Sequence, residues 1–265
     1  MTAANSSGAT TAGAAQKTWF PYWHPNPGAR LRLFCFPYAG GTASVFHRWA
    51  RSGTWPNVDV IAVQYPGHET RLQEPLSRRV PALVEALGPV IRPLLDRPFA
   101  FLGYSLGTYV SLELAHWLQY TGAPLPLGLM LAAASPPHLR RSQELYTLLD
   151  EEFIAELKRY GGTPAQVLAH RELMELLLPV LRADFEMADE YRRDPEPRLS
   201  LPFTIWGGTE DADVAPPALL GWRDLTTHDF TLHLLPGGHF FLLSEGDKLR
   251  EGVERTLRYW ATKGT

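Results

Sequence analysis

A serine between two glycines is the part of the sequence best suited to nucleophilic chemistry. The residues Gly103-Tyr104-Ser105-Leu106-Gly107 follow a short apolar run and precede a helical pattern. A serine on a tight turn from strand to helix takes a strained backbone conformation that exposes its hydroxyl, and glycines on either side avoid collisions with the neighbouring elements. The first N–H groups of the helix face any negative charge that develops there. We therefore predict that Ser105 is a nucleophile; the alternative is a glycine-rich turn whose serine only caps the helix.

A serine nucleophile needs a base, and His239 is the best placed of the nine histidines. In hydrolases with this turn, an acidic residue and then a histidine follow the nucleophile along the chain. His239 comes directly after the last apolar run, in Pro236-Gly237-Gly238-His239-Phe240-Phe241, where the glycines allow a sharp bend. His233, within that run, is the second candidate. We predict that His239 is the general base.

An acidic loop after the preceding apolar run offers the residue that would orient the histidine. Glu210, Asp211 and Asp213 all lie in the loop Gly207-Gly208-Thr209-Glu210-Asp211-Ala212-Asp213-Val214. Acidic loops are usually just solvated, so the residues alone leave the choice among the three open.

Two backbone N–H groups would be needed to hold an oxyanion. Leu106, directly after the nucleophile, supplies one of them. The second is expected in the loop Phe36-Pro37-Tyr38-Ala39-Gly40-Gly41, with Ala39 as our choice and Tyr38 as the alternative. A loop of this kind is also typical of an ordinary turn from strand to helix, so by itself it indicates little.

The elements that must position these residues are predicted by short apolar runs bounded by glycine and proline. Buried strands are predicted at 31–36, 58–63, 99–102, 127–134, 203–206 and 230–235. Helical patterns lie between them, at 76–95, 106–120 and 249–259. Strands that alternate with helices predict an α/β fold, with a mostly parallel central sheet and helices on both faces. Ligands of such sheets bind at the carboxyl ends of the strands, where the candidate residues lie.

Residues 139–199 interrupt this alternation, because they show no strand pattern. Apolar residues recur at helical spacing instead, first around Phe153 and Leu157 and later around Leu177 and Leu181. An ordinary crossover needs only about a dozen residues. We therefore predict a helical lid inserted at about 139–199 into a domain of residues 19–265; the alternative is two ordinary crossover helices. Residues 1–18, rich in Ala, Thr, Ser and Gly, are predicted to be a disordered N-terminal tail.

The composition argues against several classes of function. The 265 residues include 25 Lys and Arg against 28 Asp and Glu, a net charge of −3, which disfavours nucleic acid as a partner. No apolar run reaches the roughly 18 residues of a membrane span. Cys35 is the single cysteine, and no metal-ligand spacing, P-loop or dinucleotide motif occurs. We predict a cytoplasmic monomer that needs neither a metal nor a cofactor.

From about residue 19 to residue 259, the chain resembles the type II thioesterases of polyketide and non-ribosomal peptide biosynthesis. These are α/β-hydrolases related to medium-chain acyl-carrier-protein thioesterases. The resemblance rests on residues 34–41, 66–71, 103–107, 207–214 and 237–242, in that order. Trp19-Phe20 and the loop 36–41 are more diagnostic than the serine turn, which every α/β-hydrolase shares. One departure is His68, where the family often has arginine, and it puts the role of that loop in doubt.

The resemblance implies a role for each candidate residue. The family's nucleophile falls on Ser105, its Gly-Gly-x-x-Asp-x-x-Val acid loop selects Asp211, and its histidine falls on His239. It implies a serine hydrolase without cofactor or metal, with a Ser-His-Asp triad that cleaves acyl thioesters from the phosphopantetheine arm of acyl or peptidyl carrier proteins. Such an enzyme edits by removing aberrant acyl groups from the synthases.

Two kinds of alternative remain open from the sequence. The same fold serves carboxylester hydrolases and acyltransferases, and an α/β-hydrolase without catalytic activity can act as a binding module. The carrier proteins of the family are typically acidic, and Arg140-Arg141 and Arg192-Arg193 flank the predicted lid. These arginines are either a docking site for the carrier protein or ordinary solvated residues.

Overall fold

The computed structural model describes residues 6–50 and 55–263 and is built around a parallel sheet. Within those ranges the sheet has the order β2-β1-β3-β4-β5-β6, and each neighbouring pair is parallel. The strands are β1 (Leu31–Phe36), β2 (Val58–Ala62), β3 (Phe99–Tyr104), β4 (Leu129–Ala132), β5 (Phe203–Gly208) and β6 (Phe230–Leu235). All six predicted strands are therefore confirmed, and the bounds of β1 and β6 match the prediction.

Side chains of successive strand residues enter two separate hydrophobic layers, one on each face of the sheet. On β1, Phe34 and Phe36 pack into one layer, whereas Leu33 and Cys35 pack into the other. Every residue of β1, β3, β4 and β5 is buried. Burial on both faces explains why these strands are continuous apolar runs rather than alternating apolar and polar residues.

Helices cover both faces of the sheet, as predicted. They are α1 (Ser6–Trp19), α2 (His47–Ala50), α3 (Val80–Ile91), α4 (Leu106–Tyr120), α5 (Asp150–Tyr160), α6 (Ala165–Leu168), α7 (Arg171–Glu190), α8 (Phe241–Ser244) and α9 (Gly246–Lys263). Leu87 of α3 and Val110 of α4 pack into the first layer, and Val253 and Leu257 of α9 pack into the second. In the part of the chain described, no helix is both long enough and apolar enough to cross a membrane.

The N-terminal region differs from the disordered tail predicted for residues 1–18. Helix α1 occupies Ser6–Trp19, and residues 1–5 lie outside the described residues. The helix ends at Trp19 and is followed by Phe20, both buried in the first layer. The Arg71 guanidinium stacks over the Trp19 ring at 4.0 Å. Composition alone indicates disorder because it contains no information about the burial of Trp19 and Phe20. Once the end of the segment is fixed by this packing, its alanines favour a helix.

Helices α5, α6 and α7 all lie within residues 139–199, and they have a small core of their own. Phe153 and Leu157 of α5 pack against Leu178 and Leu181 of α7, apart from the two main layers. The C-terminal end of α7 belongs to the main body, because Met187 packs into the first layer. The segment is thus anchored at one end and packed on itself at the other.

His116 of α4 is a buried histidine that is held in its neutral form. Burial, helped by the positive charge of Arg193, lowers the pKa of His116 from 6.5 to about 3. Its Nε2 atom has no hydrogen-bond partner among the described residues. The unfolded chain therefore binds a proton at His116 that the folded chain does not, so acidification below the ordinary histidine pKa destabilises the fold.

We predict that His116→Leu makes the fold less sensitive to acid. Between about pH 7 and about pH 5, wild-type protein should lose about 2 kcal/mol more unfolding free energy than the variant, the amount expected for one buried neutral histidine. Urea unfolding at the two pH values measures this difference. His24→Leu, a matched change at an exposed position, should keep the wild-type acid sensitivity. Equal losses in wild type and His116→Leu would contradict this account of His116.

Candidate active site

Ser105 lies on the tight turn that connects β3 to α4. Its backbone has φ +51° and ψ −114°, a conformation that residues with a side chain rarely adopt. A Cβ atom at Gly103 would lie 2.3 Å from the Gly107 carbonyl oxygen, and one at Gly107 would lie 2.0 Å from the Phe36 carbonyl oxygen. Because these neighbours are backbone atoms that cannot turn aside, both positions require glycine.

His239 is brought to Ser105 by the loop that follows β6. Its Nε2 atom lies 3.0 Å from the Ser105 Oγ atom. The hydroxyl of Tyr104, the residue before the serine, donates to the His239 carbonyl at 2.6 Å and accepts from the Leu242 N–H at 3.1 Å. The serine turn is therefore joined to the histidine loop in two ways. The Tyr104 hydroxyl bonds to the backbone of the loop, and the Ser105 and His239 side chains bond to each other.

Asp211 completes the arrangement from the loop after β5. Its Oδ2 atom lies 2.9 Å from His239 Nδ1. Its other oxygen accepts the backbone N–H groups of Asp213 and Val214, each at 3.0 Å. The carboxyl is buried, with 4% of the residue exposed. The two backbone N–H groups fix the orientation of the carboxylate through Oδ1, so that Oδ2 points at the His239 imidazole.

The competing candidates lie elsewhere. Glu210 is exposed to solvent. Asp213 forms a two-bond ion pair with Arg159 of α5, at 2.9 and 3.1 Å. The His233 ring stacks on Trp206 at 4.3 Å. The structure therefore brings Ser105 and His239 together with Asp211 rather than with any of these three.

The loop after β1 is a tight turn with free donors. Gly41 N–H donates to the Tyr38 carbonyl at 2.8 Å, and Gly40 at the third position has φ +73°. In the ranges that the structure covers, the N–H groups of Tyr38, Ala39 and Leu106 donate to no protein acceptor. Ala39, our choice, and Tyr38, the alternative, are thus both available, and both line the same pocket as Ser105.

The pocket above Ser105 is a cavity of about 210 Å³ between the sheet and residues 139–199. Its lining is largely apolar and aromatic, and includes Tyr109, Leu139, Leu157, Tyr160, Leu181 and Phe185. The Tyr160 ring meets the His239 ring edge-on at a centroid distance of 5.6 Å. A Cβ atom at Gly162 would lie 2.1 Å from the Phe240 ring. Residues 139–199 therefore lie directly over the histidine loop.

Three of the four arginines considered for docking are held internally. Arg140 donates to the Tyr109 hydroxyl at 3.0 Å and lies 3.4 Å from an Asp189 oxygen. Arg193 pairs with Glu113 at 2.7 Å, and Arg192 donates to backbone carbonyls. Arg141 is exposed at the pocket and forms no ion pair within residues 6–50 and 55–263.

Together, these groups have the arrangement that acyl transfer to a serine requires. A serine hydroxyl faces a histidine that can take its proton, a carboxylate orients that histidine, and unpaired N–H groups lie nearby. No group of three or more His, Cys, Asp or Glu side chains that could hold a metal ion occurs among the described residues.

Comparisons with known proteins identify the family. The family model described as "Thioesterase domain" matches residues 31–259, most of the chain. The chain belongs to the thioesterase family. This thioesterase is 38% identical over 242 residues to the gramicidin S biosynthesis protein GrsT of Aneurinibacillus migulanus, which covers 91% of this chain and 94% of GrsT.

Solved structures agree with this assignment. The type II thioesterase BorB from the borrelidin biosynthetic cluster is 35% identical, with a TM-score of 0.81 over 89% of this thioesterase and 96% of BorB. YbtT, a type II thioesterase from the yersiniabactin NRPS/PKS pathway, is 27% identical, with a TM-score of 0.81 over 90% of this chain and 97% of YbtT. The predicted resemblance to type II thioesterases, the α/β-hydrolase fold and the thioester hydrolase class are confirmed.

We predict that Asp211→Asn lowers kcat by about 10³- to 10⁴-fold, because the amide would hold His239 in the wrong tautomer. Glu210→Gln and Asp213→Asn are matched controls, since neither side chain contacts the imidazole. Each should cost less than about tenfold on the scale of such losses. Steady-state hydrolysis of one acyl thioester at fixed pH gives all three values. Equal losses at the three positions would mean that the loop has only a structural role.

Proposed function

We propose that this thioesterase hydrolyses acyl thioesters on the phosphopantetheine arm of acyl or peptidyl carrier proteins, and that it removes aberrant acyl groups from polyketide or non-ribosomal peptide synthases. One observation carries the proposal: the hydrogen bonds from Ser105 through His239 to Asp211 lie beneath an apolar pocket. The similarity to BorB and YbtT, both described as type II thioesterases, supports it.

The first half of the proposed reaction transfers the acyl group to the enzyme. Ser105 Oγ attacks the thioester carbonyl carbon while His239 Nε2 takes the hydroxyl proton. The Asp211 carboxylate accepts from Nδ1–H and stabilises the imidazolium. When the tetrahedral intermediate collapses, the C–S bond breaks and the sulfur takes the proton from His239. The products of this half are the free phosphopantetheine thiol and a Ser105 ester.

The second half releases the acid. His239 Nε2 takes a proton from water as the water oxygen attacks the ester carbonyl, and returns that proton to Ser105 Oγ as the ester C–O bond breaks. In both halves the negative oxygen is held by the N–H groups of Leu106 and Ala39, with Tyr38 as the alternative to Ala39. Removal of one such donor typically slows a reaction by about 10²- to 10³-fold, so these groups carry much of the rate enhancement.

Residues 139–199 act in this proposal as a lid over the acyl chain. The apolar side chains of Leu157, Leu181 and Phe185 suit a hydrocarbon, and their burial around it would exclude water from the ester. The Arg159–Asp213 ion pair ties α5 to the acid loop. The Tyr160 ring of α5 lies against the His239 ring, so movement of α5 would gate the access of the carrier protein's arm to His239.

We predict that Ser105→Ala abolishes release of free acid from an acyl carrier thioester while leaving the thermal unfolding midpoint close to that of wild type. The loss should exceed about 10³-fold, since only binding and the oxyanion N–H groups would remain. Wild type should also turn over the thioester faster than the matching oxygen ester. Near-normal activity of Ser105→Ala would contradict the triad, and a preference for the oxygen ester would favour a carboxylester hydrolase.

A second prediction concerns docking of the carrier protein. Arg141 is exposed at the pocket and forms neither an ion pair nor a hydrogen bond within the described ranges, whereas exposed Arg192 donates to backbone carbonyls. Arg141→Ser should therefore raise KM for a carrier-bound substrate and leave KM for a small acyl thioester unchanged. Added salt should weaken only the carrier-bound reaction, since attraction between exposed charges is screened over about 10 Å at 0.1 M. Arg258→Ser, an exposed arginine of α9, is the matched control. An equal response of both substrates would exclude Arg141 from docking.

The cytoplasmic location, the monomeric state and the absence of nucleic-acid or membrane partners are part of the same proposal. They rest on the net charge of −3 and on the composition. Size-exclusion chromatography with light scattering measures the oligomeric state directly.

A further inference from the structure

Beside the turn 38–41 lies a buried pair of titratable groups that the mechanism above does not use. His68 is 4% exposed and Asp184 of α7 is 1% exposed. His68 Nε2 lies 2.8 Å from Asp184 Oδ2, and the same oxygen accepts the Gly40 N–H at 2.7 Å. Gly40 directly follows Ala39. The pair therefore connects the loop after β2, helix α7 and the turn that carries the free N–H groups.

The hydrogen bonds determine where the protons of this pair lie. His68 Nδ1 is 3.0 Å from the Pro66 carbonyl, which can only accept, so Nδ1 carries a proton. Asp184 Oδ2 accepts the Gly40 N–H. Because a carboxyl group is a much stronger acid than an imidazolium, the proton between Oδ2 and Nε2 lies on Nε2, and Oδ2 accepts it. The geometry thus holds an imidazolium opposite a carboxylate.

The surroundings of His68 favour this charged form. Burial acts to lower the pKa of His68, but the charge and hydrogen bond of Asp184 outweigh it, and the pKa is raised above its ordinary value. Arg71, from the short 3₁₀ turn Glu69–Arg71, acts in the opposite direction to Asp184. The Tyr65 ring meets the imidazole edge-on at 5.9 Å. Within residues 6–50 and 55–263, Asp184, Arg71 and Tyr65 are the titratable groups that face His68 from the elements around it.

The bond from Gly40 to Asp184 selects one orientation of the turn. With a positive φ at the third residue, the turn has the type II form; the type I form differs by rotation of the central peptide, here Ala39–Gly40. In the observed orientation, Gly40 N–H faces α7. Gly40 also packs closely on that helix, because a Cβ atom there would lie 2.5 Å from Leu181 Cδ2.

We propose that His68 and Asp184 are positioning residues. By accepting the Gly40 N–H, the ion pair holds the turn at the residue directly after Ala39. It thereby restrains the preceding peptide, which carries the oxyanion-binding N–H group. The proposal rests on the role given above to Ala39 or Tyr38. As pH rises, the His68 imidazolium loses one proton and its positive charge. The contact with Asp184 then weakens from an ion pair to an ordinary hydrogen bond, the turn is held less firmly, and kcat falls.

The sign of the accompanying stability effect follows from the same pair. Because the folded pKa of His68 lies above the unfolded value of 6.5, the pair stabilises the fold fully below about pH 6.5. This contribution is lost as pH rises through the folded pKa. Activity and part of the stability should therefore decline together on the alkaline side.

The test is the pH dependence of kcat for a small acyl thioester. Asp184→Asn and His68→Gln should each lower kcat at least about tenfold, a fraction of the loss for a deleted oxyanion donor, with KM within about twofold. The double variant should lose no more than either single variant, because both act through one contact. His68→Arg keeps the charge and should remove the alkaline fall in kcat that wild type shows.

Asp59→Asn is the matched control, since Asp59 is a buried aspartate of β2 paired with Arg32 at 3.1 Å, away from the turn. It should lower the thermal unfolding midpoint but keep the wild-type kcat and pH profile. A change in kcat as large as that of Asp184→Asn would mean that any lost buried aspartate has this effect, and would overturn the proposal.

Two further results would overturn the positioning role: an unchanged alkaline fall in His68→Arg, or a wild-type kcat in folded Asp184→Asn. If His68→Arg does not fold, the double variant decides, and additive losses would count against the proposal. If wild type hydrolyses acyl thioesters and the variants keep the wild-type kcat and pH profile, only the positioning role is overturned. A wild type that hydrolyses none overturns the proposed function as well.

Discussion

The backbone at Ser105 is the constraint on which the site depends. A residue with a side chain at φ +51° costs about 1–3 kcal/mol, and it persists because β3 and α4 are buried on both sides of it. Gly107 lies so close to the Phe36 carbonyl that a Cβ atom would be 2.0 Å away. The start of α4 is thereby pressed against the end of β1, which sets the Leu106 N–H beside the turn 38–41. This contact places the Ser105 hydroxyl and the N-terminus of α4 next to the turn 38–41.

Around that point, buried carboxylates hold the loops in place by accepting backbone N–H groups. Asp211 accepts from the acid loop, Asp184 accepts from Gly40, and Asp189 accepts from Gln143 and Glu144 at the start of the helical segment. Hydrogen bonds to an ionised oxygen are stronger than neutral ones. Each carboxylate therefore fixes a stretch of irregular backbone at the rim of the pocket, where no strand or helix could do so.

Much of the fold is predictable from the sequence because glycine and proline mark the strand ends. The bounds of β6 follow from its apolar run, and the serine turn follows from its two glycines. Tertiary features are less accessible: α1 depends on burial of Trp19 and Phe20, which composition does not show. The choice of Asp211 among three acidic residues needed the family resemblance. His68 and Asp184 are separated by 116 positions, and no local pattern pairs them.

Acylation of Ser105 is the step on which the proposed reaction depends. The most direct test is intact-protein mass spectrometry on samples quenched within milliseconds of mixing with an acyl carrier thioester, followed by peptide mapping. We expect a burst of free carrier thiol, approaching one equivalent per enzyme, and a mass gain of one acyl group located on Ser105. Release of free acid by wild type with no burst of thiol and no acyl group on Ser105 would contradict this mechanism.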